Sequence, residues 1–341
     1  MSEAVCMTLD EIHDFASRAL VARGCSVDQA RAIADTVTAA ERDGSVSHGL
    51  FRIPFYIRAI EESGAVPDAE PVLHELAPGV VQVDGGLGFA PLALQVGAEP
   101  LAERARSQGI AALALTNVYH IAALWPEVER MTEQGLVAFA FTGAINYVAP
   151  AGGSEPLYGT NPMAFGWPRS DGPPVVFDQA SSTSARGEIQ LHLRAGKPLP
   201  EGWAVGPDGQ PTTDPEAALA GAQLPFGGHK GAAIALMVEL LAGALVGDLF
   251  SYEAGEHDVN KVGAPRGGEF MIAIDPARCQ RGGPGAAPLA RAEELFAMVL
   301  GQEGTRLPGQ RRHEIRARSR TNGVDVARQT LDEIRSLSGC R

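Results

Sequence analysis

The sequence predicts a mixed α/β fold that departs from the ordinary Rossmann arrangement. Three observations support this prediction: a helical pattern near the N-terminus, alternating strand and helix patterns through the middle of the chain, and a glycine-rich turn that only imitates a dinucleotide-binding fingerprint. Because 341 residues is about twice the usual length of a single domain, two domains are expected, which could be interleaved along the chain.

The N-terminal forty residues are predicted to form a pair of helices. Thr8 and Glu11 have the spacing of a capping box, as do Ser26 and Gln29, and each pair precedes a segment patterned with Ala, Leu and Ile. Gly24 is predicted to end the first helix, because glycine is common just after a helix C-terminus. A short third helix is expected to follow and to end by residue 64.

The segment from residue 80 to residue 115 resembles a βαβ unit but lacks its dinucleotide-binding details. A strand over Val80–Asp84 is followed by Gly-Gly-Leu-Gly, a helix over 90–106 and a buried strand over 110–115. Pro91 stands at the third glycine position of the fingerprint, and Asn117 replaces the acid that would bind the ribose hydroxyls. These departures argue against an ordinary Rossmann domain.

The rest of the chain alternates further helices and strands around one long segment rich in Pro, Gly, Asp and Thr. That segment, 196–224, is predicted to be a loop, and loops of such length are often functional. Helices are predicted at 125–133, 184–195, 232–247, 289–300 and 324–337, and strands at 136–142, 174–178 and 270–274.

Composition argues against several classes of function. The net charge of −13 and a pI near 5.1 disfavour nucleic acid and anionic membrane surfaces as partners. The longest apolar stretch, 232–246, contains Glu239 and is shorter than the roughly 20 residues that span a bilayer. No secretory signal is visible, and the four cysteines lack metal-ligand spacing, so we expect a cytoplasmic protein with free thiols and no metal site.

Ser47, His48 and Arg52 form the first candidate site. If a helical turn begins at His48, Arg52 lies on the same face four residues later, which places a proton donor beside a guanidinium group suited to a carboxylate. The alternative is that His48 is a packing residue and Arg52 a surface arginine, and the residues alone leave this open.

Two further segments could bind an anionic cofactor. Gly227, Gly228 and Gly231 surround His229 and Lys230 directly before an apolar helix, where backbone N–H groups and the lysine would favour a diphosphate. A run of arginines could receive a phosphate of NADPH, namely Arg306, Arg311, Arg312, Arg316, Arg318 and Arg320. A tight turn with a solvated lysine, and a solvated arginine face or subunit contact, remain the simpler alternatives.

Polar residues after predicted strands form another candidate set. Thr160 lies in Gly-Thr-Asn-Pro, Asp178 begins Asp-Gln-Ala-Ser-Ser, and Glu188 could orient an imidazole. An ordinary exposed helix acid is the alternative for Glu188, and His120 taken alone is more often structural than catalytic.

Together these segments resemble the malate/L-lactate dehydrogenase type 2 family over nearly the whole chain. The resemblance rests on Ser-His-Gly-x-x-Arg at 47–52, Gly-Thr-Asn-Pro at 159–162, and the glycine-framed Lys230 before the helix that contains Glu239. Segments 120–127, 178–182, 224–230 and 235–239 are similar to the branch that reduces Δ1-piperideine-2-carboxylate and Δ1-pyrroline-2-carboxylate. Hydroxy-acid members usually have tyrosine where His229 stands.

The resemblance implies a homodimer with a mainly antiparallel, non-Rossmann nicotinamide-binding domain at 116–289. A helical, substrate-binding region would combine residues 1–115 and 290–341. It also implies NADPH as the cofactor, with NADH possible, and a small cyclic imino acid as the substrate. His48 would be the proton donor, with Ser47 and Glu188 as its relay partners.

The remaining implied roles concern ligand binding. The substrate would lie among Arg52, Thr160, Arg186 and Gly187. The cofactor would contact His120, Ile121, Ala122, Ala123, Leu124, Asp178, Gln179, Ala180, His229, Lys230, Arg306, Leu307, Pro308, Gly309, Gln310, Arg311 and Arg312.

Three other functions remain open from the sequence. A 2-hydroxy-acid dehydrogenase of the malate, lactate or ureidoglycolate type would keep the scaffold and change the electrophile. A hydrolase would need Ser47, His48 and Glu188 to form a triad, although no Gly-x-Ser-x-Gly motif surrounds Ser47 and adjacent Ser-His side chains seldom converge. A non-catalytic protein that binds NADPH or a related ligand is the third.

Overall fold

The computed structural model describes residues 4–281 and 286–340. The strands are β1 Ala4–Met7, β2 Val72–Ala77, β3 Val80–Asp84, β4 Ile110–Tyr119, β5 Val137–Thr142, β6 Met163–Trp167, β7 Val175–Gln179, β8 Ala204–Val205, β9 Pro211–Thr212, β10 Ala222–Gln223, β11 Arg266–Ile274 and β12 Val324–Ala327. The α-helices are α1 Leu9–Val21, α2 Val27–Arg42, α3 Ile53–Arg58, α4 Ala90–Gln108, α5 Trp125–Glu133, α6 Arg186–Ala195, α7 Pro215–Ala220, α8 His229–Val238, α9 Ser251–His257, α10 Ala286–Leu300, α11 Gln310–Asn322 and α12 Arg328–Ser338.

A seven-stranded sheet forms the centre of the fold, in the order β2-β3-β4-β11-β5-β6-β7. Only β3 and β4 pair in parallel, and every other neighbouring pair is antiparallel. The long strand β11 lies between β4 and β5, so that Phe270 is opposite Ala114 on one side and Phe141 on the other. The predicted mixed α/β class with a mainly antiparallel sheet is confirmed.

Helices cover both faces of this sheet because apolar side chains project from each face. One face buries Val83, Leu113 and Ala140 against α4 and α5. The other packs Phe141 and Phe270 beneath α8 and the π-helical turn Glu239–Leu245 that continues it. Among the described residues, no helix combines the length and the apolarity needed to cross a bilayer.

The N- and C-terminal segments pack together in one helical region. Strand β1 pairs with β12 in antiparallel register, with Ala4 opposite Ala327. Ile12 of α1, Tyr56 of α3 and Ile334 of α12 share one buried core. The predicted boundary between residues 115 and 116 falls inside β4, and β2 and β3 belong to the same central sheet as β4. The domain boundaries stay a prediction.

The glycine-rich turn after β3 packs against the N-terminal region. A Cβ at Gly88 would lie 2.4 Å from Nε2 of Gln29, and one at Gly85 would lie 2.3 Å from the Val118 side chain. The glycines therefore allow close packing here. β4 also continues past the predicted end at residue 115, and Asn117 within it, at φ +54°, donates from Nδ2 to Asp84 Oδ1 over 3.1 Å.

Several local predictions were wrong for identifiable reasons. Segment 196–224 contains β8, β9, α7 and β10, whose strands are too short to give a period-two pattern. Ser26 does cap α2, but Gln29 is buried and donates to the carbonyl of Ala69 over 3.3 Å, so the second capping box is incomplete. All of the arginine run except Arg306 lies on α11, and the predicted helix at 324–337 begins at Arg328 because residues 324–327 form β12.

Candidate active site

Ser47 connects the two side chains predicted to handle the substrate. Its Oγ lies 3.0 Å from Nδ1 of His48, and its carbonyl oxygen accepts a hydrogen bond of 2.8 Å from Nε of Arg52. Two 3-10 turns joined at Gly49 replace the continuous helical turn that the sequence suggested. His48 and Arg52 are thus held by one residue, and the guanidinium carbon of Arg52 lies 5.1 Å from the ring centroid of Phe55.

Gly49 allows this turn to pack closely against α2. Glu41 is buried on α2, and its Oε1 accepts a hydrogen bond of 2.7 Å from the backbone N–H of Leu50. A Cβ at Gly49 would lie 2.1 Å from the same carboxylate oxygen. The Glu41 carboxylate therefore fixes the backbone close to His48. It lies where a side chain at position 49 would lie, so this contact requires glycine there.

The environment of His48 favours its neutral form in the absence of a substrate. Burial lowers the pKa of His48 to about 3, and the positive charge of Arg52 and the nearby His120 lower it in the same direction. A neutral imidazole accepting the Ser47 hydroxyl proton at Nδ1 carries its own hydrogen on Nε2.

The residues predicted at the start of α6 do not contact His48. The guanidinium carbon of Arg186 lies 3.8 Å from the Tyr147 ring centroid, and Nη2 donates to the carbonyl of Leu219 over 3.2 Å. Gly187 and Glu188 are exposed, and the side chain of Glu188 has no hydrogen bond or ion pair within the described chain. Ser47 and His48 do converge, contrary to expectation, but the structure does not bring the third member of a relay to them.

Three of the predicted cofactor segments meet around Asp178. Nη2 of Arg312 lies 3.3 Å from Oδ1 of Asp178, and the Arg312 guanidinium carbon lies 4.4 Å from the Trp125 ring centroid. The pKa of Asp178 is raised above its ordinary value because burial outweighs the opposing effects of Arg312 and the backbone N–H groups of Trp125 and Leu124. The structure therefore assembles segment 120–124, segment 178–180 and the start of α11 at one place.

The fourth predicted cofactor segment, His229 and Lys230 at the start of α8, is connected through Ser181 to the predicted substrate residue Thr160. Ser181 donates from its backbone N and its Oγ to the carbonyl of Thr160, over 2.8 and 2.9 Å. A Cβ at Gly231 would lie 2.6 Å from the carbonyl oxygen of the same Ser181. His229 and Lys230 are exposed at the start of α8, after two glycines with φ near +60°.

The arginine run separates into two groups. Arg312 and Arg316 make ion pairs with buried or half-buried acids. Arg306, Arg311, Arg318 and Arg320 are exposed and without such partners in the described part of the chain. Arg306 and Arg311 are therefore available for an anionic ligand.

Comparison with known proteins gives the family. A sequence profile of malate/L-lactate dehydrogenase matches residues 7–335. The chain belongs to the malate/L-lactate dehydrogenase family. Its relatives include the Delta(1)-pyrroline-2-carboxylate/Delta(1)-piperideine-2-carboxylate reductase of Pseudomonas aeruginosa, 52% identical over 97% of this chain and 98% of that protein. The Delta(1)-pyrroline-2-carboxylate reductase of Ancylobacter novellus is 49% identical over 99% and 98%.

Solved structures of malate/L-lactate dehydrogenase family proteins agree with this fold. The delta1-piperideine-2-carboxylate reductase of Pseudomonas syringae superimposes with a TM-score of 0.92, at 41% identity over 98% of this chain and 99% of that one. Malate dehydrogenase from Entamoeba histolytica gives a TM-score of 0.89, at 26% identity over 99% and 98%.

Two buried polar groups near these segments were missed as a site by the sequence analysis. Asn161, at φ +36°, donates from Nδ2 to Glu239 Oε1 over 2.7 Å and accepts at Oδ1 from Ser251 Oγ over 3.0 Å. This network joins the Thr160 segment to the π-helical turn after α8. The second group contains Glu127 and Glu269, which contact His120. The sequence signal that could have indicated the second group is a glutamate within an apolar strand, at position 269, because such a residue is seldom buried without a partner.

Proposed function

We propose that this member of the malate/L-lactate dehydrogenase family reduces cyclic ketimines with NADPH. The substrates are Δ1-piperideine-2-carboxylate and Δ1-pyrroline-2-carboxylate, and the products are L-pipecolate and L-proline. The arrangement at Ser47 carries the proposal, because one residue holds an imidazole and a guanidinium group next to each other. Relatives named as reductases of these imines, matched over almost their whole length, support the choice of substrate.

Arg52 binds the 2-carboxylate in this proposal, and His48 provides the proton. The positive charge of Arg52 is one of the causes that keep the pKa of His48 low, and the negative charge of the bound carboxylate offsets it. Substrate binding thus raises the pKa of His48 from this low value, and His48 acts as the acid in its imidazolium form. That imidazolium then donates a proton to the ring nitrogen of the imine as C2 becomes tetrahedral.

Residues around Asp178 and at the start of α8 are suited to a nicotinamide cofactor. Lys230 and the glycines before it lie at a helix N-terminus, and Arg306 and Arg311 are exposed beside Leu307 and Gly309. NADPH supplies the hydride that C2 receives. Segments 120–124, 178–180 and 306–312, with His229 and Lys230, would hold it. Thr160, Arg186 and Gly187 complete the proposed substrate site, and Glu188 is the proposed relay partner of His48.

We also propose a cytoplasmic homodimer. Leu236, Leu240 and Leu245 on α8 and the turn after it are between 46% and 61% exposed, which is typical of a face that a partner covers. The free cysteines of the described chain are compatible with a reducing compartment.

Nicotinamide oxidation by the purified protein tests the function. Δ1-Piperideine-2-carboxylate, Δ1-pyrroline-2-carboxylate, pyruvate and oxaloacetate are each assayed with NADPH and NADH. Rapid reduction of the imines with NADPH is expected. Preference for an oxo acid would favour the alternative of a 2-hydroxy-acid dehydrogenase, because Arg52 could bind either carboxylate, and no turnover at all would contradict both enzymes.

Substitution of Arg52 by lysine is expected to weaken substrate binding more than turnover. Lysine keeps the charge but loses the bidentate geometry and the contact with Ser47 O, so KM for the imine should rise about 10- to 100-fold, or roughly 1.5–3 kcal/mol. Steady-state kinetics measure the change. Arg58→Lys is the matched control, because Arg58 lies on α3 in an exposed pair with Glu333. A fall in kcat at unchanged KM would contradict the assignment.

The charge state of His48 is expected to respond to Arg52 and to a bound carboxylate. Because burial and Arg52 lower the pKa of His48 to about 3, the ring should remain neutral from pH 5 to pH 8 without ligand. Arg52→Met removes the positive charge, and excess L-proline offsets it, so both should raise this pKa toward its ordinary value. Histidine NMR titration measures the shift, with exposed His74 as the reference. An identical titration in all three samples would refute the coupling.

A further inference from the structure

His120, Glu127 and Glu269 form a buried cluster next to the predicted active site. Nε2 of His120 lies 3.1 Å from Glu127 Oε1 and 3.3 Å from Glu269 Oε2, and the exposed fractions of the three side chains are 5%, 7% and 0%. The two glutamates come from different elements, because Glu127 is on α5 and Glu269 on β11. The fold therefore brings two carboxyl groups to one ring nitrogen.

The hydrogen bonds of this cluster are incomplete without another proton. Nε2 of His120 is bonded to Oε1 of Glu127, so one N–H group serves one carboxyl group. Oε2 of Glu127 and both oxygens of Glu269 are buried without a hydrogen-bond partner among the described residues. Because a buried carboxylate without a donor is costly, a hydrogen carried by Glu269 and donated to Glu127 would remove two unpaired acceptors at once.

We propose that Glu127 and Glu269 share one proton and act as positioning residues for His120. The pair keeps Nε2–H of the ring directed at Glu127, while the backbone N–H of His120 donates to Pro265 O over 3.1 Å. Side chain and backbone are then both fixed at the first residue of segment 120–124. This inference rests on the proposed function, because it is in that function that segment 120–124 binds the nicotinamide cofactor.

Other ionisable groups around the cluster favour a neutral ring and a protonated pair. Burial raises the pKa of Glu127 to about 8, and the negative charge of Asp178 on β7 adds to the effect. Burial, and then the charge of Glu127, raise the pKa of Glu269 well above its ordinary value. Burial lowers the pKa of His120, although Glu269 opposes this. Tyr56 from α3 and His48 from the adjacent turn also face the cluster.

A pH dependence of stability follows from the shared proton. The folded protein holds this proton at pH values at which an unfolded glutamate, with a pKa near 4.5, has lost it. The folded state therefore binds more protons above about pH 4.5 until the raised pKa of the pair is passed, and stability falls as the pH rises through that interval. Glu269→Gln keeps a neutral hydrogen-bond donor that does not lose its proton as the pH rises. The stability of this variant should therefore decrease less with pH than that of wild type.

The experiment compares wild type, Glu269→Gln, Glu269→Ala and the matched control Glu133→Gln, which alters an exposed residue of α5. Urea unfolding midpoints are measured from pH 5 to pH 9, and nitrogen NMR of the His120 ring reports its tautomer. We expect a flatter pH profile for both Glu269 variants and a changed tautomer signal for Glu269→Ala alone. NADPH dissociation constants should rise at least tenfold for Glu269→Ala and return to within about threefold of wild type for Glu269→Gln.

Two results would overturn the inference. One is an identical fall in stability with pH for wild type and Glu269→Gln. The other is one equivalent of a divalent cation per chain that is lost in Glu269→Gln, because His and two Glu side chains within 4.8 Å of one another could hold such an ion in place of the proton. Failure of the wild type to bind NADPH would contradict the proposed function and the role of segment 120–124, while the pH profiles and the ring NMR would still decide whether the proton is shared.

Discussion

Replacement of His48 by asparagine is expected to lower kcat for imine reduction by about 10²- to 10⁴-fold, the usual contribution of a positioned general acid. Asparagine can still form a hydrogen bond with the Ser47 hydroxyl, which lies 3.0 Å from Nδ1 of the ring, but it cannot become a cation when a carboxylate binds at Arg52. The loss should therefore fall on turnover, with NADPH affinity nearly unchanged. Single-turnover kinetics and NADPH titration separate the two.

The control for this variant is His74→Asn, which replaces an exposed histidine on β2 at the far edge of the sheet. It should behave like wild type in both measurements. If His48→Asn retained wild-type kcat with the best imine substrate, the proton would have to come from another group or enter with an already protonated imine. The assignment of His48 as the acid would then be wrong.

Replacement of Arg316 by alanine is expected to lower the free energy of unfolding by about 3–5 kcal/mol, as is typical when one member of a buried ion pair is removed. Nη2 of Arg316 donates to Asp43 Oδ2 over 2.6 Å and to Glu129 Oε2 over 2.8 Å, and the Asp43 side chain is 0% exposed. Burial alone would raise the pKa of Asp43, but Arg42 and Arg316 outweigh it and hold the pKa below its ordinary value. After the substitution, Glu129 retains Arg42 only at 3.9 Å.

Urea denaturation measures this loss, and Arg320→Ala is the matched control. Arg320 lies on the same helix, is exposed and has no ion pair among the described residues, so its replacement should change stability by no more than about 0.5 kcal/mol. Equal effects of the two substitutions would show that the buried network does not hold α11. Because Asp43 precedes Ser47 by four residues, Arg316→Ala should also impair activity.

Local signals in the sequence were enough to predict most of the fold. Thr8 forms a complete capping box with Glu11, the β3-α4-β4 unit was recognised without being mistaken for a Rossmann domain, and α5 has the predicted bounds. Strands were missed where burial gives no alternation, as in the fully exposed β2, or where an element has two residues, as in β8. Pairing between distant segments, such as β1 with β12, leaves no local pattern.

The candidate site was predictable in its parts and not in its assembly. His48 and Arg52 could be placed in one candidate site from the chain alone, although the contact between Ser47 and His48 was not expected. The glycines before α8 indicated either backbone N–H groups for an anion or a tight turn. The contacts of Asp178 with Arg312, and of Glu127 with Glu269, join residues more than a hundred positions apart. Only the tertiary structure shows which of several arginines and buried acids are partners. The role of Glu188 stays a prediction.

The pairing of β1 with β12 has a consequence for folding during synthesis. Sγ of Cys6 and the carbonyl of Asn322 are in contact although 316 positions separate them, and the core around Ile12 is completed by Ile334. A chain that emerges from the ribosome N-terminus first therefore presents the apolar faces of α1 and α2 long before their covering helix exists. We therefore expect this region, although it is made first, to complete its core only after α12 has been synthesised.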